Sequence, residues 1–213
     1  DHAAEQITKL KSLPNMLLYI DQVMNEGRLG VAELKVREFL KKNPTHTYAM
    51  SQLSEIANRL GHFDDAELLL EKAVQFNPDD GELRMKYALV LRKKQKFAKT
   101  MEQVNILCDK YPDNLAYQAQ KASEIMQNGQ HEDAIGLFDD ILNKNPHNFS
   151  THTSKGHALK TLGKTSDAIK SYQSAYKIRP DHGEAFFSLA NLKTYSFSDP
   201  ELTNMKEQIK RVD

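Results

Sequence analysis

Apolar residues recur along this chain with the three- and four-residue spacing of helices, and the whole pattern returns at a fixed interval. Two rows show the interval: a small side chain at Ala32, Ala66, Thr100, Ala134 and Ala168, and a larger apolar one at Val36, Leu70, Val104, Phe138 and Tyr172. Each step in either row is 34 residues. Because helices that cross closely need small side chains where their axes approach, the pattern predicts a series of packed helical pairs.

Proline and glycine divide the chain at the same interval. The prolines are Pro44, Pro78, Pro112, Pro146 and Pro180, and the turn positions hold Gly27, Gly61, Gln95, Gly129 and Gly163. Proline cannot continue an α-helix, so each one is expected to end the second helix of its copy. Asp79 and Glu82 predict a capping box at the start of the next helix. A fixed period of this length indicates one helix–turn–helix unit that is copied and stacked.

This order of small, glycine, alanine and proline positions resembles the tetratricopeptide repeat. The resemblance implies an all-α fold, a right-handed superhelical α-solenoid of about five and a half repeats with a C-terminal capping helix. The expected division is an N-terminal extension at 1–12, an array at 13–195 with repeats 13–46, 47–80, 81–114, 115–148, 149–182 and a partial 183–195, and a capping or linker helix at 196–213. Ser198 and Glu201 predict the capping box of that last helix.

A narrower resemblance lies near the C-terminus. Residues 154–163 and 188–199, the second reading SLANLKTYSFSD, are similar to the repeat region before the catalytic domain of bacterial tetratricopeptide-repeat sulfotransferases. This resemblance implies a bacterial parent protein with a sulfotransferase domain after Asp213 that uses phosphoadenosine phosphosulfate. A generic solenoid cap is the alternative, since terminal repeats are commonly atypical.

Charge and composition argue against several classes of partner. The chain has 29 Lys+Arg and 29 Asp+Glu, and this balance disfavours binding to nucleic acid. No stretch approaches the ~18 consecutive apolar residues of a membrane span, and the N-terminus lacks a signal pattern. The single cysteine, Cys108, cannot form an intrachain disulfide, which fits a cytoplasmic location.

Residues typical of catalysis occupy repeat positions instead of forming a site. Gly163, Lys164 and Thr165 look like the end of a phosphate loop, but Ala158 stands where that motif needs a glycine. The histidines do not show metal-ligand spacing. No nucleophile, base and orienting group can be assembled, so we expect no enzymatic activity, no cofactor and no metal in these residues.

The binding surface is predicted from the first helix of each repeat, which by analogy with the family lines a concave groove. The candidate peptide-binding residues are Glu55, Arg59, Met85, Arg92, Lys93, Ser123, Gln127, His157 and Lys160. Between Glu82 and Glu102 the chain has basic residues and no acidic one: Arg84, Lys86, Arg92, Lys93, Lys94, Lys96 and Lys99. Adaptable methionines beside fixed cations suit an extended peptide or an acidic helix.

The predicted function is therefore an interaction scaffold that binds a peptide or protein in its groove, as the non-catalytic part of a sulfotransferase-type parent. Two alternatives stay open. One is a stand-alone adaptor with no enzyme attached, and the other is a module that forms homodimers and binds nothing else. The basic run also has a plain alternative, a solvated helix face.

Overall fold

The computed structural model of the chain describes residues 13–210, which form twelve α-helices and no strand. The predicted fold class, an all-α repeat solenoid, is confirmed. The chain divides into two compact units, Asp1–Leu107 and Cys108–Asp213.

Unit 1 consists of helical hairpins. Its helices are α1 (Asn15–Asn25), α2 (Leu29–Lys42), α3 (Thr47–Arg59), α4 (Phe63–Phe76), α5 (Gly81–Lys93) and α6 (Phe97–Lys110), the last of which ends in unit 2. Leu17, Ile20 and Val36 form one core cluster with residues of α3, and Leu70 and Leu91 belong to a second. These five side chains are at most 1% exposed, so burial between hairpins stabilises helices that are too short to be stable alone.

Unit 2 also consists of helical hairpins. Its helices are α7 (Leu115–Gln127), α8 (His131–Lys144), α9 (Phe149–Thr161), α10 (Thr165–Ile178), α11 (Gly183–Ala190) and α12 (Asp199–Ile209). Phe138 and Ile141 form one buried cluster with Ala122, and Tyr172 packs in another with Leu159. The rows of small and large residues seen in the sequence are therefore core positions.

The turn position adopts the left-handed conformation in every complete repeat. Gly61 has φ of +81°, and Gln95, at the matching position of the third repeat, has φ of 57°. A side chain makes this conformation costly, and glycine removes the cost. The third repeat therefore carries backbone strain at Gln95 that its neighbours avoid.

The start of α5 corrects one prediction. Asp80, not Asp79, is the N-cap, and its Oδ1 accepts hydrogen bonds from the backbone N–H groups of Glu82 and Leu83 at 3.0 and 3.1 Å. The capping residue must directly precede the first helical residue, Gly81, so the predicted pairing with Asp79 was wrong by one position.

The helix α12 keeps the register of the repeats. The second helices begin at Leu29, Phe63, Phe97, His131, Thr165 and Asp199, always 34 residues apart. The helix before it, α11, ends early at Ala190, and Lys193 with φ of 57° redirects the chain. The helix α12 thus occupies the place of a second helix in a sixth repeat.

The Glu201 carboxylate attaches α12 to α10 and to the segment that leads into α12. The Glu201 carboxylate accepts hydrogen bonds from the Ser198 backbone N–H and hydroxyl, both at 2.8 Å, which confirms the predicted capping pair. It also accepts from the hydroxyls of Tyr176 and Tyr195. Although burial raises the pKa of Glu201, these hydrogen bonds outweigh it and lower the pKa to about 2.

Candidate functional site

The first helices of unit 1 are joined side by side through polar side chains. Asp21 on α1 accepts hydrogen bonds from Tyr48 and Gln52 on α3, each at 2.7 Å. Lys86 on α5 donates to Ser51 Oγ on α3 at 3.1 Å. These bonds join α1 to α3 and α3 to α5, so the three helices present one continuous face, which we call the unit 1 face.

Arg59 and Glu55 lie together on the unit 1 face. Arg59 Nε donates to Glu55 Oε1 at 2.8 Å, and Arg59 Nη1 donates to the Met24 carbonyl oxygen at 3.1 Å. That carbonyl is in the last turn of α1, where it also accepts the Gly27 backbone N–H at 3.1 Å and where the helix dipole favours a cation. Two partners therefore fix the guanidinium, whose side chain is still 41% exposed.

Lys93, Arg92 and Met85 extend the unit 1 face on α5. Lys93 Nζ donates to Asn58 Oδ1 at 2.9 Å and lies 5.6 Å from the centre of the Phe63 ring. Lys93 is exposed, whereas Arg92 and Met85 are half-buried. Leu89, at 40% exposure on the same helix, adds an apolar surface beside them.

Much of the basic run has partners within unit 1. Lys96 Nζ lies 2.6 and 2.7 Å from the two oxygens of Glu67, and Lys94 also binds Glu67 together with Asp64. Although burial raises the pKa of Glu67, hydrogen bonds from the two lysines outweigh it and lower the pKa. The seven basic residues between Glu82 and Glu102 therefore supply internal ion pairs as well as cations on the unit 1 face.

Arg84 is also committed to the fold. Its Nη1 donates to Gln103 Oε1 at 2.6 Å, and its Nη2 donates to the Pro78 carbonyl at 3.0 Å.

The sequence could have suggested that Lys94 and Lys96 pair with Glu67, because Glu67 is an acidic residue beside the apolar row of α4. The three cations among the candidate peptide contacts of unit 1, Arg59, Arg92 and Lys93, lie on the unit 1 face.

In unit 2, His157 lies between a buried hydroxyl and an exposed carboxylate. Its Nδ1 is 3.0 Å from the Tyr172 hydroxyl oxygen, and its Nε2 is 3.2 Å from Glu184 Oε1. Burial raises the pKa of Tyr172 to about 12, so the phenol keeps its proton and donates to Nδ1. Nε2–H then donates to Glu184, and the ring is held from both sides.

The other unit 2 candidates lie on first helices as predicted. Ser123 on α7 is half-buried, and its hydroxyl donates to the Ala119 carbonyl at 2.9 Å. Gln127 at the end of α7 and Lys160 on α9 are exposed. Phe187 on α11 is 68% exposed, the largest exposure among the large apolar residues described. The nine predicted contacts therefore divide between the two units, five in unit 1 and four in unit 2.

The described residues include one cysteine, Cys108, which is partly buried. Burial raises the pKa of the Cys108 thiol, which disfavours the nucleophilic thiolate. Among residues 13–210, no group of three or more His, Cys, Asp or Glu side chains is arranged to hold a metal ion. Within the same range, no helix is long and apolar enough to cross a membrane.

Family models described as tetratricopeptide repeat match residues 52–114 and 149–182. No curated protein matches the chain. Several solved structures match it. YrrB, a TPR protein described as having an unusual peptide-binding site, shares 15% identity over 87% of this chain and 96% of its own, with a TM-score of 0.63.

Two further structures share the fold at similarly low identity. TTC0263, a thermophilic TPR protein of Thermus thermophilus, is 16% identical over 85% of this chain and 98% of its own, with a TM-score of 0.67. Residues 41 to the end of MamA from Desulfovibrio magneticus RS-1 are 12% identical over 78% and 94%, with a TM-score of 0.68.

Proposed function

We propose that this chain, which is a tetratricopeptide-repeat protein, is a scaffold that binds a peptide or protein on its first-helix faces. The repeat fold is typically a non-catalytic scaffold, and YrrB, which has the same fold, has a peptide-binding site. Fold alone does not give function, so the proposal depends on the unit 1 face.

The observation that carries the proposal is the combination of held cations and exposed apolar side chains. Arg59 and Lys93 are each hydrogen-bonded to a neighbouring helix and stay exposed, and Leu89 lies beside them on α5. Cations that are already ordered lose little conformational entropy when an anion binds. The unit 1 face therefore favours a segment that alternates acidic and apolar residues.

Charge reversal tests this assignment. The probe is a fluorescent peptide of alternating glutamate and leucine, and the variant carries Arg59→Glu, Arg92→Glu and Lys93→Glu. We expect at least about tenfold weaker binding by anisotropy, because each exposed charge contact contributes up to about 1 kcal/mol.

A matched variant separates site binding from general attraction. Lys41, Lys42 and Lys72 are exposed on the second helices α2 and α4, and their change to Glu alters the net charge equally. This control should bind the peptide like the unchanged protein. Equal losses in both variants, or no loss in the first, would contradict the assignment.

The proposal extends to a parent protein, in which these repeats lie before a cytoplasmic sulfotransferase domain and capture or orient its acceptor. The two C-terminal stretches that resemble such proteins support this, and they form α9, α11 and the segment leading into α12. The coding sequence after Asp213 tests it. A strand–loop–helix rich in Ser, Gly and Thr supports the sulfotransferase, whereas its absence favours the stand-alone adaptor.

A further inference from the structure

Unit 1 also carries an apolar patch, formed by the second helices α2 and α4 together with the end of α3. Leu34 on α2 is 67% exposed, Leu68 on α4 is 51% exposed, and Leu60, which follows α3, is 46% exposed. A cleft of about 490 Å³ is lined in part by Leu60 and Leu68, together with Glu33 and Arg37 of α2, Ala57 of α3 and Asp65 of α4. None of these residues belongs to the predicted peptide contacts.

The repeat pattern shows that the fold does not need these leucines. Leu34 and Leu68 occupy the same place in successive repeats, and later repeats have Glu102, Gly136 and Lys170 there. Glu102, Gly136 and Lys170 are all exposed, so the position faces solvent along the array. An exposed apolar patch with a polar rim is typical of a protein interface.

One side of the cleft carries the ion pair of Glu33 and Arg37, and the other carries the Asp65 carboxylate. Arg37 lies on α2, where it also bonds Glu33 at 2.8 Å, and Asp65 lies on α4 and is exposed. A two-fold axis between α2 and α4 brings α2 of one copy against α4 of the other. Arg37 then faces Asp65 of the second copy, and Leu34 faces its Leu68. Such a patch is self-complementary, as a two-fold dimer requires.

We propose that the patch of Leu34, Leu60 and Leu68 is a self-association surface whose occupant is a second copy of this chain. The zero net charge of the chain supports this, since it removes the long-range repulsion that keeps charged proteins apart. The patch contains none of the predicted peptide contacts, although Leu60 directly follows Arg59 in the sequence.

Sedimentation equilibrium over a range of concentrations tests the dimer. The unchanged chain should reach twice its monomer mass of 24.3 kDa, whereas Leu34→Glu with Leu68→Glu should stay at the monomer mass. The substitutions introduce the residue that the third repeat already has at this place, Glu102, so circular dichroism should show intact helices.

Ile106→Glu is the matched control, because Ile106 is an exposed apolar residue of unit 1 on α6 and the two earlier repeats have Lys72 and Glu38 at its place. It should dimerise like the unchanged protein. A monomer at all concentrations for the unchanged chain would overturn the proposal, as would an equal loss in the Ile106 control.

A charge exchange tests the two-fold arrangement without touching the leucines. In a Glu33→Gln background, which removes the partner of Arg37 within α2, Arg37→Asp or Asp65→Arg alone should weaken the dimer about fivefold or more, and the two together should restore it, because the pair is then only inverted. Failure of the double variant to recover would overturn the proposed contact. Peptide binding by the unit 1 face does not depend on either result.

Discussion

Gly156 is the position where one methyl group should cost most. A Cβ built there lies 2.5 Å from Cε1 and 2.7 Å from Cδ1 of the Tyr172 ring. Tyr172 is 0% exposed, and its hydroxyl is held by His157 at 3.0 Å. The ring therefore cannot move aside without losing both its packing and its hydrogen bond.

The magnitude for Gly156→Ala follows from three terms. Alanine gains about 1 kcal/mol over glycine within a helix, overpacking costs about 1–3 kcal/mol, and loss of the Tyr172 hydrogen bond costs about 1 kcal/mol. We expect a net destabilisation of about 2 kcal/mol. For a chain of this size the melting temperature should fall by about 4–8 °C.

Urea unfolding followed by circular dichroism measures this change, and Gly136→Ala is the control. Gly136 is exposed in the helix α8, and no atom lies within 4 Å of a Cβ built there. Its change to alanine should stabilise the chain by about 0.5–1 kcal/mol. If Gly156→Ala matches or exceeds the stability of the unchanged protein, the packing argument is refuted.

Three further changes test other features of the fold. Gln95→Gly should stabilise unit 1 by about 0.5–1 kcal/mol in urea unfolding, because it removes a side chain from a left-handed turn; no gain would contradict the strain. Asp80→Ala should cost about 1 kcal/mol through loss of the α5 cap, and an unchanged urea midpoint would contradict the cap. The pKa of Glu201, about 2, lies below its ordinary value, so its contribution is present above about pH 4.3 and lost as pH falls towards 2. Glu201→Gln should abolish that part of the acid dependence measured by circular dichroism.

The fold followed from the sequence because repetition makes the signal strong. The small side chain of Ala66, the larger apolar one of Leu70 and the proline at Pro78 each mark a position that returns every 34 residues. The first two positions proved to be buried in the core. The register of α12 was harder to see. Leu202 stands where the other repeats have alanine or threonine, and the early end of α11 at Ala190 interrupts the helical pattern.

The candidate surface was only partly predictable for a different reason. The sequence places Lys94 and Arg92 in the same basic run, but only the fold shows that Lys94 reaches Glu67 on the preceding helix. Leu34 and Leu68 follow the core positions Ala32 and Ala66 by two residues, about 200° around the helix, so the spacing places them on the outer face. The cleft beside Leu68 depends on how neighbouring helices pack. Spacing gives the helix on which a residue lies, whereas partners depend on neighbouring repeats.

The most direct measurement is NMR mapping of the glutamate–leucine peptide on isotope-labelled protein. We predict changes in backbone amide chemical shifts that are concentrated on α3 and α5, around Arg59, Arg92 and Lys93, with little change on the second helices α2 and α4. Changes centred on α2 and α4, or no change at peptide concentrations that saturate the anisotropy signal, would contradict a scaffold that binds through its first-helix face.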